Sequence, residues 1–183
     1  MPSVQLARQK MEKAVDALRR EFSTVRTGKA TPQLLDTVRV EAYGSQLPLN
    51  QVATVSAPEA RMLVVQPFDR AMIGPVEKAI LTSDLGVNPS NDGKVIRVPI
   101  PALTEERRKE YVRLLHKMAE EGRVSIRQAR QKTNDQIKRR QKDHEISEDD
   151  GRREMDEVQK LTDKYIQQLE EMLRHKEAEV LEV

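Results

Sequence analysis

Apolar residues recur every three or four positions in three separate stretches of this 183-residue chain. This spacing places the apolar side chains on one side of a helix, and a single amphipathic helix is not stable alone. The chain is therefore expected to pack three helices into a bundle. The apolar positions are Val4, Ala7, Met11, Ala14, Leu18, Phe22 and Val25, then Tyr111, Leu115, Met118, Gly122, Ile126, Ala129, Thr133 and Ile137, then Met155, Val158, Thr162, Tyr165, Leu169 and Met172.

Local signals predict where these helices begin and end. Gly28 is a plausible stop for the first helix, which is expected to end near Thr27. Thr104 is placed to cap the second helix. Ser147, followed three residues later by Asp150, resembles a capping box at the start of the third.

Residues 30–103 have a different spacing of apolar residues. In "DTVRVEAY" apolar and polar residues alternate, which is typical of a half-buried strand, and Gly44-Ser45 supplies a turn. "QVATVSA" and "RMLVVQPF" predict two more strands, separated by a breaker at 58–60, and "PVEKAILTSDLG" predicts a short helix. "KVIRVPIP" predicts a last strand at a sheet edge, because Pro99 cannot donate to a ladder.

These patterns predict an α+β protein with two domains. A discontinuous three-helix bundle is expected from 1–28 and 104–183, with a small β/α/β domain inserted at 29–103. The connections "TGKATP" (27–32) and "PIPALT" (99–104) hold the glycine, proline and small residues found in hinges. The hinge residues predicted there are Gly28, Lys29, Pro101 and Thr104.

Composition narrows the possible classes of protein. The chain has no cysteine, which excludes a disulfide framework or thiolate metal site and favours a reducing compartment. No segment approaches the ~20 apolar residues of a membrane helix, and the first residues lack a signal peptide's apolar run. With 34% charged and only 3% aromatic residues, we expect an elongated, cytoplasmic protein.

Charge is unevenly distributed although the net charge is only +2. Residues 104–144 hold thirteen basic and seven acidic side chains, whereas 145–183 hold six basic and thirteen acidic. Residues 29–103 hold seven of each. Such segregation is typical of a chain with a directional electrostatic partner.

Arg123, Arg127 and Arg130 share one face of the second helix, because they are spaced four and then three residues apart in "GRVSIRQAR". This face lies about 100° around the helix from the apolar stripe. Residues 122–134 contain no carboxylate, and the planar arginine fork suits two-point contact with phosphate. The plainer alternative is a solvated face, which is the usual fate of helical arginines.

Four segments closely resemble the bacterial ribosome recycling factor family: "VRTGKATPQLLD", "PLNQVATVSAPEARMLVVQPFD", "DLGVNPSNDGKVIRVPIPALTEERRKE" and "ISEDDGRREMDEVQKLTDKYI". The resemblance spans almost the whole chain. It implies an L-shaped protein, with a long three-helix bundle and a small β/α/β domain, that acts with elongation factor G and GTP. Such proteins split the ribosome after termination, release messenger and transfer RNA, and bind ribosomal RNA of the large subunit.

The resemblance also implies which residues bind RNA. By matching motif, the ribosome-contacting arginines fall on Arg108 in "TEERRKE" and on Arg127 and Arg130. Lys29 stands where the family commonly has arginine. The resemblance implies a monomer without a catalytic residue, a metal or a cofactor of its own, since the partner binds the GTP.

Some candidate sites and two other classes of protein have weaker support in the sequence. "IKRRQK" (137–142) is a possible second RNA contact, although a charge run near a helix end is usually solvated. His116, His144 and His175 have no metal-binding spacing. A helical scaffold or chaperone would bind partners in a salt-insensitive way, whereas RNA binding should weaken steeply with salt. A hydrolase has almost no support, because no nucleophile and base are recognisable.

Overall fold

The computed structural model describes residues 1–182 and divides them into two compact units. One unit consists of Met1–Arg26 and the residues from Glu105 onward, and the other is Thr27–Thr104. Each unit has its own cluster of buried apolar side chains. The chain combines long helices with small antiparallel sheets, so the predicted α+β class is confirmed.

Three long helices form the first unit. Helix α1 is Pro2–Thr24, α4 is Glu105–Lys142 and α5 is Glu148–Leu181. Their apolar stripes pack into one core, and Gly122 packs tightly against α5, since a Cβ there would be 2.9 Å from Leu169 Cδ1. The fully buried core residues of α4 include Leu115, Ala119, Ile126 and Ile137.

The start of α5 follows its predicted capping signal, whereas α1 ends earlier than predicted. The Ser147 side chain accepts a hydrogen bond from the backbone N–H of Asp150, as the capping pattern predicted for α5. Helix α1 ends at Thr24, three residues before the predicted position, because Val25 already has an extended backbone. Gly28 has φ +77° in the irregular segment that follows.

A buried ion pair lies near the α4–α5 turn and was missed by the apolar patterns. Glu154 is 5% exposed and accepts hydrogen bonds from Arg140 Nη1 at 3.3 and 3.1 Å. Arg140 Nη1 also donates to Ser3 Oγ at 3.0 Å. Because a buried carboxylate requires a partner, these contacts tie the first turn of α1 to both long helices.

The second unit contains a hairpin, a four-stranded antiparallel sheet and short helices. Strands β1 (Arg39–Ala42) and β2 (Ser45–Pro48) form the hairpin. The larger sheet has the order β3-β4-β6-β5, with the bounds Ala53–Glu59, Met62–Pro67, Ile96–Pro99 and Ser90–Asn91 for β3, β4, β6 and β5. Helix α2 is Leu49–Val52, α3 is Ile73–Leu81, and 3₁₀ turns occupy Pro32–Leu35 and Arg70–Met72.

The predicted edge position of the last strand is wrong, because β6 lies between β4 and β5. Strand β5 pairs only with Ile96 and Arg97, so it ends before it reaches Pro99. The backbone N–H of Ile100 donates to the backbone oxygen of Arg61, on the β4 side of β6. The N–H groups of neighbouring residues point to opposite sides of a strand, so an N–H at position 99 would point to the β5 side, beyond the end of β5. The missing N–H of Pro99 therefore falls where no strand needs it. The predicted breaker at 58–60 lies at the end of β3, where an irregular register between Ser56 and Glu59 is followed by the two-residue turn 60–61 that leads into β4.

Within residues 1–182, no helix combines the length and the apolar character that crossing a bilayer requires.

Candidate nucleic-acid interface

Helix α4 positions all four arginines that the sequence predicted to bind RNA. Arg127 projects outward, and 52% of its side chain is exposed. Arg123 and Arg130 lie nearer the apolar stripe and are partly buried. Arg108 belongs to a separate part of the helix, since its Cα lies nineteen residues earlier than that of Arg127, or roughly 28 Å at 1.5 Å per residue. The structure therefore brings three of the four arginines together.

The guanidinium of Arg123 forms ion pairs within the bundle. Its Nε and Nη2 donate to the two carboxylate oxygens of Glu170 on α5, at 2.6 and 3.1 Å, and its Nη1 donates to Glu120 at 2.8 Å. Only 18% of its side chain is exposed. The hydrogen bond to Glu170 raises the pKa of Arg123, and Arg123 lowers the pKa of Glu170. Such a two-point pair fixes both helices and the arginine together.

Glu120 connects Arg123 to Arg127. One of its oxygens accepts from Arg123, and the other lies 3.5 Å from Nη1 of Arg127. The sequence contains no carboxylate between 122 and 134, yet the arginine surface is not free of acid. Glu120 precedes Arg127 by seven residues, or almost two helical turns, and so points along the same face.

Arg130 has a neutral partner. Its Nη1 donates to Oε1 of Gln159 on α5 at 3.3 Å, and Gln159 is held in turn by Asp163. Across residues 1–182, no carboxylate oxygen lies within ion-pair distance of Arg130. Arg127 and Arg130 therefore present the most available cationic groups of this surface.

Arg108 lies close to the beginning of α4 and is partly buried. Its Nε atom is buried and has no hydrogen-bond partner in the described part of the chain. A buried donor without an acceptor is uncommon and costs free energy. Arg108 therefore differs from the exposed Arg127 in its position along α4 and in its burial.

The structure distinguishes among the weaker candidates for RNA binding and for metal binding. Within "IKRRQK" Arg140 is committed to Glu154, whereas Lys138, Arg139 and Lys142 are exposed. His116 Nε2 lies 3.2 Å from a carboxylate oxygen of Glu177. Among residues 1–182 no three histidine and acidic side chains are grouped so that they could hold a metal ion.

The predicted hinge residues all lie outside helices and strands. Gly28 and Lys29 follow α1, and Pro101 and Thr104 precede α4. A side chain at Gly28 would meet Leu103 Cγ at 3.6 Å, which is an ordinary contact. Its positive φ, rather than a lack of space, is what requires glycine there.

Sequence reasoning missed two residues of this surface, for different reasons. Glu120 could have been found, because positions three and seven residues apart lie on the same helical face. Glu170 is forty-seven residues from Arg123 in sequence, and only the register between α4 and α5 brings them together.

Comparison with known proteins points to one family. The profile of the family described as "Ribosome recycling factor" matches residues 18–181. The ribosome-recycling factor of Carboxydothermus hydrogenoformans is 56% identical over 177 residues, covering 97% of this chain and 96% of that protein. The protein of the same name from Halalkalibacterium halodurans is 54% identical, with the same two coverages.

Two solved structures are similar over nearly the whole chain. A solution structure of the ribosome recycling factor has a TM-score of 0.77 and 41% identity, covering 100% of this chain and 97% of that one. The second structure has a TM-score of 0.64 and 46% identity, covering 96% of this chain and 95% of that one. It belongs to models of the T. thermophilus ribosome recycling factor and E. coli elongation factor G bound to the E. coli post-termination complex.

The Arg123–Glu170 pair predicts a pH-dependent contribution to stability. Because Arg123 holds the pKa of Glu170 below its ordinary value of 4.5 in the folded chain, the pair stabilises fully above that ordinary value. This stabilisation is lost as the pH falls through the folded-state pKa. Glu170→Gln should lower the free energy of unfolding by about 0.5–1 kcal/mol at pH 7, a range that allows for solvent screening.

Denaturant unfolding of the wild type and Glu170→Gln between pH 7 and pH 3 measures this effect. The difference between them should shrink towards the acid end. Glu171→Gln is the matched control, since that neighbouring carboxylate is exposed and does not contact Arg123. Identical behaviour of the two variants at every pH would refute a role for the pair.

Proposed function

Because this chain belongs to the ribosome recycling factor family, we propose that it recycles ribosomes after translation termination. It binds the post-termination ribosome and, with elongation factor G and GTP, promotes subunit splitting and the release of messenger and transfer RNA. The GTP belongs to the partner, and the chain itself acts in the cytoplasm as a monomeric binding protein and not as an enzyme. Support comes from near full-length identity above 50% to proteins of this name.

The proposed RNA-binding residues are Arg108, Arg123, Arg127 and Arg130. The observation that carries this part of the proposal is the exposed guanidinium of Arg127, beside Arg130, on the most basic segment of the chain. Arginine can form two-point contacts with phosphate and stack on unpaired bases. Arg123 lies at the edge of the surface, where Glu170 keeps its guanidinium in place.

The proposed division of labour assigns anchoring to the bundle and movement to the inserted unit. The first core joins α1, α4 and α5 over their length, which suits a rigid anchor. The segments 27–32 and 99–104 are proposed as hinges. Elongation factor G would push residues 29–103 about these hinges. The glycine at 28, with its positive φ, and the prolines of the second segment support this assignment.

Replacing Arg127 should weaken ribosome binding and reduce its dependence on salt. We expect Arg127→Ala to lose about 1–3 kcal/mol of binding free energy to vacant ribosomes and about one unit of the salt slope. Arg130→Ala should behave similarly. Binding is measured across a salt series, and circular dichroism checks that the helices are intact.

Lys132→Ala is the control for this experiment. It removes the same charge from the same helix, but Lys132 is exposed about 140° around α4 from Arg127. It should change binding much less. If all three variants lost affinity equally, the arginine surface would have no special role and general attraction by a basic helix would explain binding.

Removing the charge of Glu120 should strengthen RNA binding. Its carboxylate neutralises Arg127 in the free protein and must give way when a phosphate approaches. Glu120→Gln is expected to tighten binding to vacant ribosomes about two- to fivefold, the equivalent of one exposed ion pair. Arg123 keeps its two-point contact with Glu170 in this variant.

Glu121→Gln is the matched control, because the neighbouring carboxylate points about 100° away around the helix. It should change affinity less than Glu120→Gln does. Equal gains from the two substitutions would mean that only the net charge of the helix matters, and would contradict competition between Glu120 and phosphate.

The hinge assignment is tested at Gly28. Valine is strained at φ +77°, whereas asparagine tolerates a positive φ, so only Gly28→Val should alter the connection. Subunit splitting, followed by light scattering, should fall more than ribosome binding in Gly28→Val and stay near wild type in Gly28→Asn. Equal loss of splitting and binding in Gly28→Val would contradict the hinge.

A further inference from the structure

Charged side chains recur at matching intervals along the facing edges of α4 and α5. The two helices run antiparallel, and a step of seven residues returns a side chain to the same edge of a packed helix. Steps of seven on both helices match His116 with Glu177, Arg123 with Glu170, and Arg130 with Asp163. The first two matches are contacts in the structure, at 3.2 Å for His116 and 2.6 Å for Arg123. The spacing therefore predicts a third contact, between Arg130 and Asp163.

A glutamine stands between the two side chains of the third match. Arg130 Nη1 donates to Oε1 of Gln159 at 3.3 Å, and Nε2 of Gln159 donates to Oδ1 of Asp163 at 2.9 Å. Gln159 lies four residues before Asp163, so both side chains project from the same side of α5. The carboxylate that the spacing places opposite Arg130 is therefore held by Gln159.

The chemistry of the three groups explains why an amide suits this position. A guanidinium only donates hydrogen bonds, and an ionised carboxylate only accepts them. An amide has an oxygen that accepts and a nitrogen that donates, so Gln159 satisfies both neighbours without adding charge. Asp163 is also one methylene shorter than the glutamates at the two other positions, which keeps its carboxylate nearer to α5.

Arg123 and Arg130 differ in availability as a result. Glu170 binds Arg123 at two points, and 18% of the Arg123 side chain is exposed. A direct carboxylate pair at Arg130 would neutralise its guanidinium in the same way, and a phosphate would have to displace the acid. The neutral amide oxygen of Gln159 is a weaker competitor, because hydrogen bonds to ionised acceptors are the stronger ones.

We propose that Gln159 is a positioning residue for RNA binding. Its amide keeps the Asp163 carboxylate away from Arg130, so that the guanidinium is held by a neutral group and stays available to an RNA phosphate. Gln159 acts through Arg130 and does not itself contact the RNA. The inference rests on the proposed function, because it explains how one of the proposed RNA-binding arginines remains available.

The rearrangement is tested first in the free chain, without ribosomes. Gln159→Ala removes the amide from an exposed helical position, and alanine has the highest helix propensity, so the fold should remain intact. A crystal structure of this variant should show the Asp163 carboxylate within about 4 Å of the Arg130 guanidinium. If the two groups stayed apart without the amide, the proposal would be wrong.

Ribosome binding tests the consequence of this rearrangement. Gln159→Ala should bind vacant ribosomes about two- to fivefold more weakly than the wild type, the equivalent of one exposed ion pair. Adding Asp163→Asn should restore the wild-type affinity, because no carboxylate then remains to neutralise Arg130. A structural defect would not be rescued in this way. Unchanged binding by Gln159→Ala, or affinity that stays low in the double variant, would refute the positioning role.

Asp156→Asn is the control for the loss of a negative charge. Asp156 precedes Asp163 by seven residues and is also exposed, but the matching residue on α4 is the buried Ile137. Adding Asp156→Asn to Gln159→Ala should therefore leave the affinity low. Equal rescue by the two asparagine substitutions would mean that only the net charge of α5 matters, and would contradict a specific contact with Arg130.

A second control asks whether Gln159 acts through Arg130. In a chain that already carries Arg130→Ala, the further change Gln159→Ala should leave ribosome binding as it is, because no guanidinium remains to be neutralised. A further loss of affinity in that double variant would show a direct contact between Gln159 and RNA, and would overturn the proposal.

The inference and the proposed function can fail independently. If the wild-type chain did not bind or recycle ribosomes, the proposed function would fail, yet an Arg130–Asp163 contact in the crystal structure of Gln159→Ala would still support the separation of these groups by Gln159. If the wild type bound ribosomes and Arg130→Ala weakened binding, unchanged binding by Gln159→Ala would refute the positioning role alone.

Discussion

The structure depends on one constraint, which is that α4 must bury one side while it exposes a basic surface on the other. A helix of 38 residues with a repeat of 3.6 can do both, because apolar and cationic residues at different phases stay on separate faces. Ile126 and Ala129 lie in the core between the arginines in sequence, yet Arg127 points outward. Gly122 packs against Leu169 of α5, and the next residues of the two helices, Arg123 and Glu170, form an ion pair.

The ion pairs on this surface hold their arginines to different degrees. The Arg123–Glu170 pair links α4 to α5 and gives the surface a fixed edge, and it leaves only 18% of the Arg123 side chain exposed. Glu120 also contacts Arg127, but this contact is longer and more exposed, so it is weak and readily exchanged. Arg130 meets an uncharged glutamine. Within two helical turns, the arginines therefore change from Arg123, which is held in a two-point ion pair, to Arg127 and Arg130, whose guanidinium groups are more available.

The inserted unit uses a different kind of surface. Its core is built from aliphatic residues and Met72, and its two aromatic side chains, Tyr43 and Phe68, are exposed. The Tyr43 hydroxyl donates a hydrogen bond to Asp69. Tyr43 has a positive φ at a turn position where asparagine or glycine is favoured. Residues 29–103 carry no net charge, whereas residues 104–144 carry thirteen basic and seven acidic side chains.

The sequence by itself determined the features that depend on local periodicity and capping. The three helices, the Ser147 cap, the alternation of Val38, Val40 and Ala42, and the common face of Arg127 with Arg130 all follow from spacing along a single element. Resemblance to a known family supplied the function and the RNA-binding assignment of Arg108. Only the tertiary structure decided that Arg123 pairs with Glu170, that Tyr43 bonds to Asp69, and that β6 lies inside its sheet. The physical reason is that such contacts depend on the register between elements far apart in the chain, whereas periodicity describes each element alone.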